Sequence, residues 1–272
     1  MKKSLYILLL YLGCQFVLYA CFLLGYAAVA PDHAIHYDLF ARRPVMMGYY
    51  LLVTDVVLFG LLCRLRLVRW PLCPPKGVRP PLRSGVWGVT GVVLCCIGIS
   101  AFTSMLQLSD DGTTAQFKQM TDNPVCLITL CLIGPLVEEV VFREGILRKL
   151  AESGTAAWAA IGASAVLFSV AHNNPVQSVA AFITGILLGV LYVGVGDMRL
   201  SAMAHVINNV LAATLLISGM SGGTVLPAPS QGQLAALGTG CMAAGLLLMI
   251  IWWRRRTPYS FLSDCRKSPD YL

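Results

Sequence analysis

Eight apolar runs, most of them close to 20 residues and nearly free of charge, recur along the chain. About 20 such residues cross the hydrocarbon core of a bilayer as one helix. The runs therefore restrict the chain to an all-α, polytopic membrane helical bundle. They cover about 4–25, 45–63, 86–108, 123–150, 156–171, 178–195, 200–220 and 232–253. The composition agrees, since 57% of the residues are apolar, 12% are charged and the mean hydropathy is +0.73, against about 25% charged residues in a soluble domain. A secretory leader competes for the first run, because Lys2 and Lys3 precede it and AAVA at 27–30 resembles a cleavage site. The run is long for a leader and Pro31 would follow the cut, so a retained helix is expected.

Loop charges give the orientation. With both termini cytoplasmic, all but Arg42, Arg43 and Lys118 of the 20 basic residues fall on the inner side. The outer segment SDDGTTAQFKQMTDN is acidic, as the positive-inside rule predicts. The net charge of +7 thus reflects topology and attraction to anionic lipid. It calls for no nucleic acid. The ten cysteines lie in spans or on the reducing side, where disulfides are rare, and read as small apolar packers. One integral membrane domain accounts for residues 1–272, with a Pro-rich cytoplasmic linker at 73–83 and a basic cytoplasmic tail at 254–272. Trp252 and Trp253 before that tail read as an interfacial belt. The short loops and the lack of a eukaryotic targeting signal point to a prokaryotic cytoplasmic (inner) membrane.

Against this background the stretch EEVVFRE at 138–144 is conspicuous, because all four glutamates of the chain, Glu138, Glu139, Glu144 and Glu152, fall within fifteen residues. Ionisable groups at membrane depth are costly and mark function by default. On a helix Glu139 and Arg143, four apart, share a face and can pair, while Glu138 points about 100° away. One carboxylate is then structural and the other free to accept a proton. An interfacial helix end with a solvated face is the plain alternative, and Arg148, Lys149 and Glu152 are expected to continue such a face. Two later spans bring further polar groups: FSVAH ends at His172, and HVINN begins at His205 and includes Asn209. Taken singly, His172 reads as a helix-end cap, and His205 with Asn209 as interhelical hydrogen-bond glue. Together they supply a base for water and donors for an oxyanion, in a polar cavity expected to open toward the cytoplasm.

These residues resemble the CAAX prenyl endopeptidase and bacteriocin-processing (CPBP, Abi) family of intramembrane proteases. Glu138, Glu139 and Arg143 are similar to its EExxxR motif, Phe168 and His172 to FxxxH, and His205 and Asn209 to HxxxN, over a catalytic core of about 124–220. The resemblance implies an intramembrane endopeptidase that hydrolyses a membrane-associated peptide or protein. In it, Glu138 aided by His172 activates water, His205 and Asn209 form the oxyanion hole, and Glu139 and Arg143 support the helix. No cofactor is expected. A zinc-dependent version would use Glu138, His172 and His205 as ligands, although no HExxH pair is present. The competing class is a non-catalytic membrane protein, an ion-coupled transporter or a scaffold. The partners implied are the lipid bilayer and a peptide or membrane-protein substrate, while the substrate's identity and the oligomeric state are not legible in the sequence. Asp55, an isolated acid in LLVTDVVLFG, is expected to hydrogen-bond a neighbouring helix, and His33 and His36 in PDHAIHYD to lie in a solvated loop.

Overall fold

In a computed structural model, residues 2–30, 43–69, 82–106, 112–172, 174–221, 229–256 and 260–267 are described. All regular structure among them is helical. Seven helices are long and apolar enough to cross a membrane: α1 (Lys2–Val29), α2 (Pro44–Arg64), α3 (Leu82–Met105), α5 (Pro124–Glu152), α7 (Pro175–Val195), α8 (Arg199–Ser221) and α9 (Gln231–Arg255). They coincide with seven of the eight runs. The eighth, α6 (Ala157–Ala171), has 15 residues, about 22 Å of helix against a hydrocarbon core of about 30 Å. It reaches only part of the way. Two short helices, α4 (Thr113–Thr121) and α10 (Phe261–Lys267), stand where no helix was expected. The outer acidic segment is thus partly helical. His33, His36, Cys73 and residues 73–81 of the Pro-rich linker lie outside the described residues.

Local chemistry sets the helix starts. The Asn123 side chain accepts from the backbone N–H groups of Val125 and Cys126 at 3.0 and 3.2 Å, with Pro124 opening α5. Asn174 does the same for Gln177 at 3.1 Å before Pro175 opens α7. Each asparagine satisfies N–H groups that the first helical turn leaves without partners. Proline at the first position gives up nothing. Helix α9 begins with a reciprocal capping box between Ser230 and Gln233.

Helix α5 is the axis of the bundle. Its residues Val140, Val141, Phe142, Ile146 and Leu147 are buried among Ile7 and Tyr11 of α1, Leu58 and Leu62 of α2, Ile161 and Phe168 of α6 and Tyr192 of α7. A second core joins α3, α7 and α9 through Val92, Cys95, Leu188, Leu191, Met249 and Trp252. There α3 and α9 approach so closely that a Cβ on Gly245 would stand 2.7 Å from the Gly91 carbonyl oxygen and 2.6 Å from the Cys95 sulfur. Such contact between small residues is how helices associate in lipid, where hydrophobic burial supplies little drive.

Two stretches of α5, Thr129–Ile133 and Val140–Leu147, are π-wound. Here the backbone bond runs from residue i to i+5 and the helix widens, a feature common at functional sites. The first precedes Pro135, which has no N–H to give. In π geometry that N–H would serve Leu130, and Asn209 of α8 donates its Nδ2–H to the Leu130 oxygen at 3.0 Å instead.

Candidate active site

Glu138 is the fifteenth of the 29 residues of α5, which puts it at mid-span, as expected from the helix length. It faces a cavity of about 430 Å³ lined from α1, α2, α4, α5, α6, α7 and α8. Of the sequence-derived candidates, Glu138, His172, His205 and Asn209 line this cavity, while Glu139 and Arg143 lie behind its wall. The four-residue spacing brings Arg143 Nη2 to 3.2 Å from Glu139 Oε1, and neither side chain is exposed. None of the Arg143 N–H groups is aligned for a hydrogen bond among the described residues, so the contact is an ion pair and lacks the directed fork of a bidentate one. The guanidinium also lies over the Phe168 ring, 4.9 Å from its centroid, a favourable cation–π placement.

His205 connects the two acids. Its Nδ1 lies 3.2 Å from Glu139 Oε1, and since a carboxylate only accepts, Nδ1–H donates. That bond turns Nε2 toward Glu138, whose Oε2 is 3.6 Å away. The distance exceeds a direct hydrogen bond and leaves the two atoms within a small movement of proton transfer. Glu138 keeps 29% of its side chain exposed. One carboxylate is sealed against a cation, and its neighbour is presented to the cavity.

His172 donates from Nδ1 to the Phe168 carbonyl at 2.8 Å, so its Nε2 is the ring nitrogen left for other partners. Phe168 separates the two imidazoles, meeting His172 edge-on at 4.7 Å and His205 at 5.7 Å between ring centroids. The imidazole beside Glu138 is therefore His205. Among the described residues no ion pair or hydrogen bond links His172 to Glu138, and both side chains line the same cavity. The FxxxH spacing places the ring and His172 on one face, and the phenyl group fixes both. Among the described residues no three His, Cys, Asp or Glu side chains converge as a metal-ligand set. No step below is routed through a metal.

Asn208, Asp55 and Tyr11, which belong to none of the three motifs, also line the cavity. Asn208 Nδ2 donates to Asn209 Oδ1 at 3.3 Å. The expected hydrogen bond from Asp55 to another helix is absent among the described residues, because its helix turns the carboxylate into the cavity. The cavity's lining comes from the middle stretches of α1, α2, α5 and α8, the first half of α7 and the end of α6, with Phe117 and Thr121 of α4.

Nor do Arg148 and Glu152 form a solvated face. Arg148 has 1% of its side chain exposed and donates to Glu152 at 2.9 Å, and Lys149 donates to the same carboxylate at 2.7 Å. They are covered by α10, whose Phe261 meets Tyr192 edge-on at 5.5 Å. Nearby, Arg69 forms a fork with Glu144, with Nε to Oε2 at 2.9 Å and Nη2 to Oε1 at 2.7 Å. The same Nη2 donates to the Tyr192 hydroxyl at 3.2 Å and the Gly196 carbonyl at 3.0 Å. Burial works against the Arg69 cation, but the Tyr192 and Glu144 oxygens more than offset it and hold its pKa above the usual arginine range.

Residues 121–211 match the family model described as Type II CAAX prenyl endopeptidase Rce1-like. The matched segment runs from the end of α4 to the middle of α8 and contains all six candidate residues. It agrees with the family that the three motifs resemble. No curated protein and no solved structure matches the chain. Together the match and the spans support, at the level of the family, a peptidase embedded in a membrane.

Proposed function

With that match to type II CAAX prenyl endopeptidases as premise, we propose that the protein is an intramembrane endopeptidase. It hydrolyses a peptide bond of a membrane-associated peptide or protein with water activated by Glu138. The observation that carries the reading is the division of labour between adjacent acids: Glu139 is closed off against Arg143, and Glu138 is open to the cavity beside His205. Glu138 takes a proton from water as the oxygen attacks the carbonyl carbon. The tetrahedral oxyanion is met by the second Nδ2–H of Asn209 and by His205, which in its protonated form donates from Nε2. When the C–N bond breaks, the proton on Glu138 passes to the leaving nitrogen, which balances the step and restores the carboxylate. His172 bounds the cavity across Phe168, where its Nε2 can orient water or the substrate amide. Glu139 holds the His205 ring, and Arg143 holds Glu139.

Burial in the bilayer serves this chemistry, because the helices keep lipid out of a water-holding cavity and a low dielectric strengthens each charge contact. The test is cleavage of membrane-associated peptides by the purified protein in proteoliposomes, with product ends read by mass spectrometry. New termini that require Glu138 support the reading. Gradient-dependent uptake without cleavage would replace it with a transporter.

A further inference from the structure

We propose that Asp55 forms a cation-binding subsite of the cavity, selecting peptides that carry a lysine or arginine within about two residues of the bond to be cut. The proposal rests on the peptidase reading and goes further, to the class of substrate. Asp55 is the lone acid of α2, a span of hydropathy 1.9. A carboxylate at such depth is costly unless something compensates its charge. Among the described residues no hydrogen bond or ion pair reaches it, and the adjacent Thr54 hydroxyl donates elsewhere, to the Tyr50 carbonyl at 2.8 Å. Its side chain lines the cavity that holds Glu138. A group that enters the cavity can supply that compensation.

The surroundings specify the sign of that group. The other titratable side chains of the lining are Glu138, His172, His205, Tyr11 and Cys131, and among the described residues no lysine or arginine joins them. Arg143 is spent on Glu139 and has no exposure to the cavity. Among the described residues two acidic side chains thus face a space whose lining holds no basic side chain, and a substrate that displaces the cavity water removes their screening. A basic side chain restores the balance, whereas an acidic one is repelled.

Position follows from α5. A Cβ built on Gly134 would lie 3.6 Å from Asp55 Oδ2, an ordinary van der Waals distance, so the carboxylate sits beside that glycine. Gly134 precedes Glu138 by four residues, about 6 Å of helix axis. An extended peptide advances about 3.3 Å per residue, so 6 Å corresponds to about two residues from the reacting carbonyl. Asp55 acts on binding and takes no part in proton transfer at the scissile bond.

A mixed peptide library first yields a cleaved sequence. Peptides identical except for lysine or norleucine at each of the two positions on either side of the bond are then compared. The wild type is expected to prefer lysine at one position by about tenfold or more in kcat/KM, chiefly through KM. Asp55→Asn should bring that ratio to within about twofold, and Asp55→Glu should keep most of it. A wild type indifferent to the lysine at every position overturns the subsite while leaving the peptidase reading standing. So does an Asp55→Asn protein, folded by its melting curve, that slows both peptides equally, which would mark a structural or proton-sharing role. If Asp55→Asn does not fold, the wild-type ratio alone decides. A wild type that cleaves no member of the library overturns both.

Discussion

The fork between Arg69 and Glu144 predicts a large and specific loss of stability. It ties the chain just after α2 to the last third of α5, and through Tyr192 and Gly196 to the end of α7. The Glu144 side chain is only 4% exposed and Arg69 10%, so neither ion recovers its hydration if the other is removed. Arg69→Met keeps the apolar stem and leaves the carboxylate buried without its fork, a change that costs about 3–5 kcal/mol. Arg148 is near enough to contribute to the local charge, which favours the lower end. About 3 kcal/mol is roughly a 150-fold fall in the ratio of folded to unfolded protein. Reversible unfolding in mixed micelles, followed by tryptophan fluorescence, measures it. Adding Glu144→Gln to Arg69→Met removes the stranded charge, so the double variant should be more stable than Arg69→Met alone, with a coupling of about 2 kcal/mol. An Arg69→Met protein within about 1 kcal/mol of wild type, or losses that simply add, would refute the reasoning.

Two further outcomes follow from backbone and packing. If Asn209 replaces the donor that Pro135 lacks, Asn209→Ala strands the Leu130 carbonyl and costs about 1–3 kcal/mol, and adding Pro135→Ala should return part of it by restoring a backbone N–H; no recovery in the same unfolding assay would mean that Asn209 acts otherwise. Gly245→Ala should cost about 1–3 kcal/mol, because its methyl meets the Gly91 backbone and the Cys95 sulfur. Gly240→Ala, with nothing within 4 Å, should be neutral or slightly stabilising, and equal melting shifts for the two would contradict the α3–α9 contact.

The spans were legible because bilayer thickness imposes a length on each apolar run, and seven runs emerge within a few residues of where hydropathy puts them. The Glu139–Arg143 pair was legible for a similar reason, since four residues make about one turn. Distance in sequence hid the rest. Glu144 and Arg69 are 75 residues apart, and a charge count of the loops could only mark Arg69 as an inner residue. The π-wound stretches escape a reading at 100° per residue, and with them the link between Pro135 and Asn209. Hydropathy marked 156–171 as an apolar run of about 16 residues, and the helix that forms there has 15. That shortness keeps the Phe168 end of α6 at the level of His205, so the three motifs can meet at all. The position of the cavity depends on which stretch of each helix lines it, which no single motif reveals.

In this mechanism the carboxylate of Glu138, and no other, takes the proton from water. The most direct test sets Glu138→Gln beside wild type in proteoliposomes, with cleavage rate and melting measured on the same preparations. Glu138 is partly exposed and outside the Glu139–Arg143 pair, so the amide should leave the melting curve unchanged while cleavage falls by about 10²–10⁴-fold, the usual worth of a positioned base. A folded Glu138→Gln protein that still cleaves within about tenfold of the wild-type rate would contradict the account.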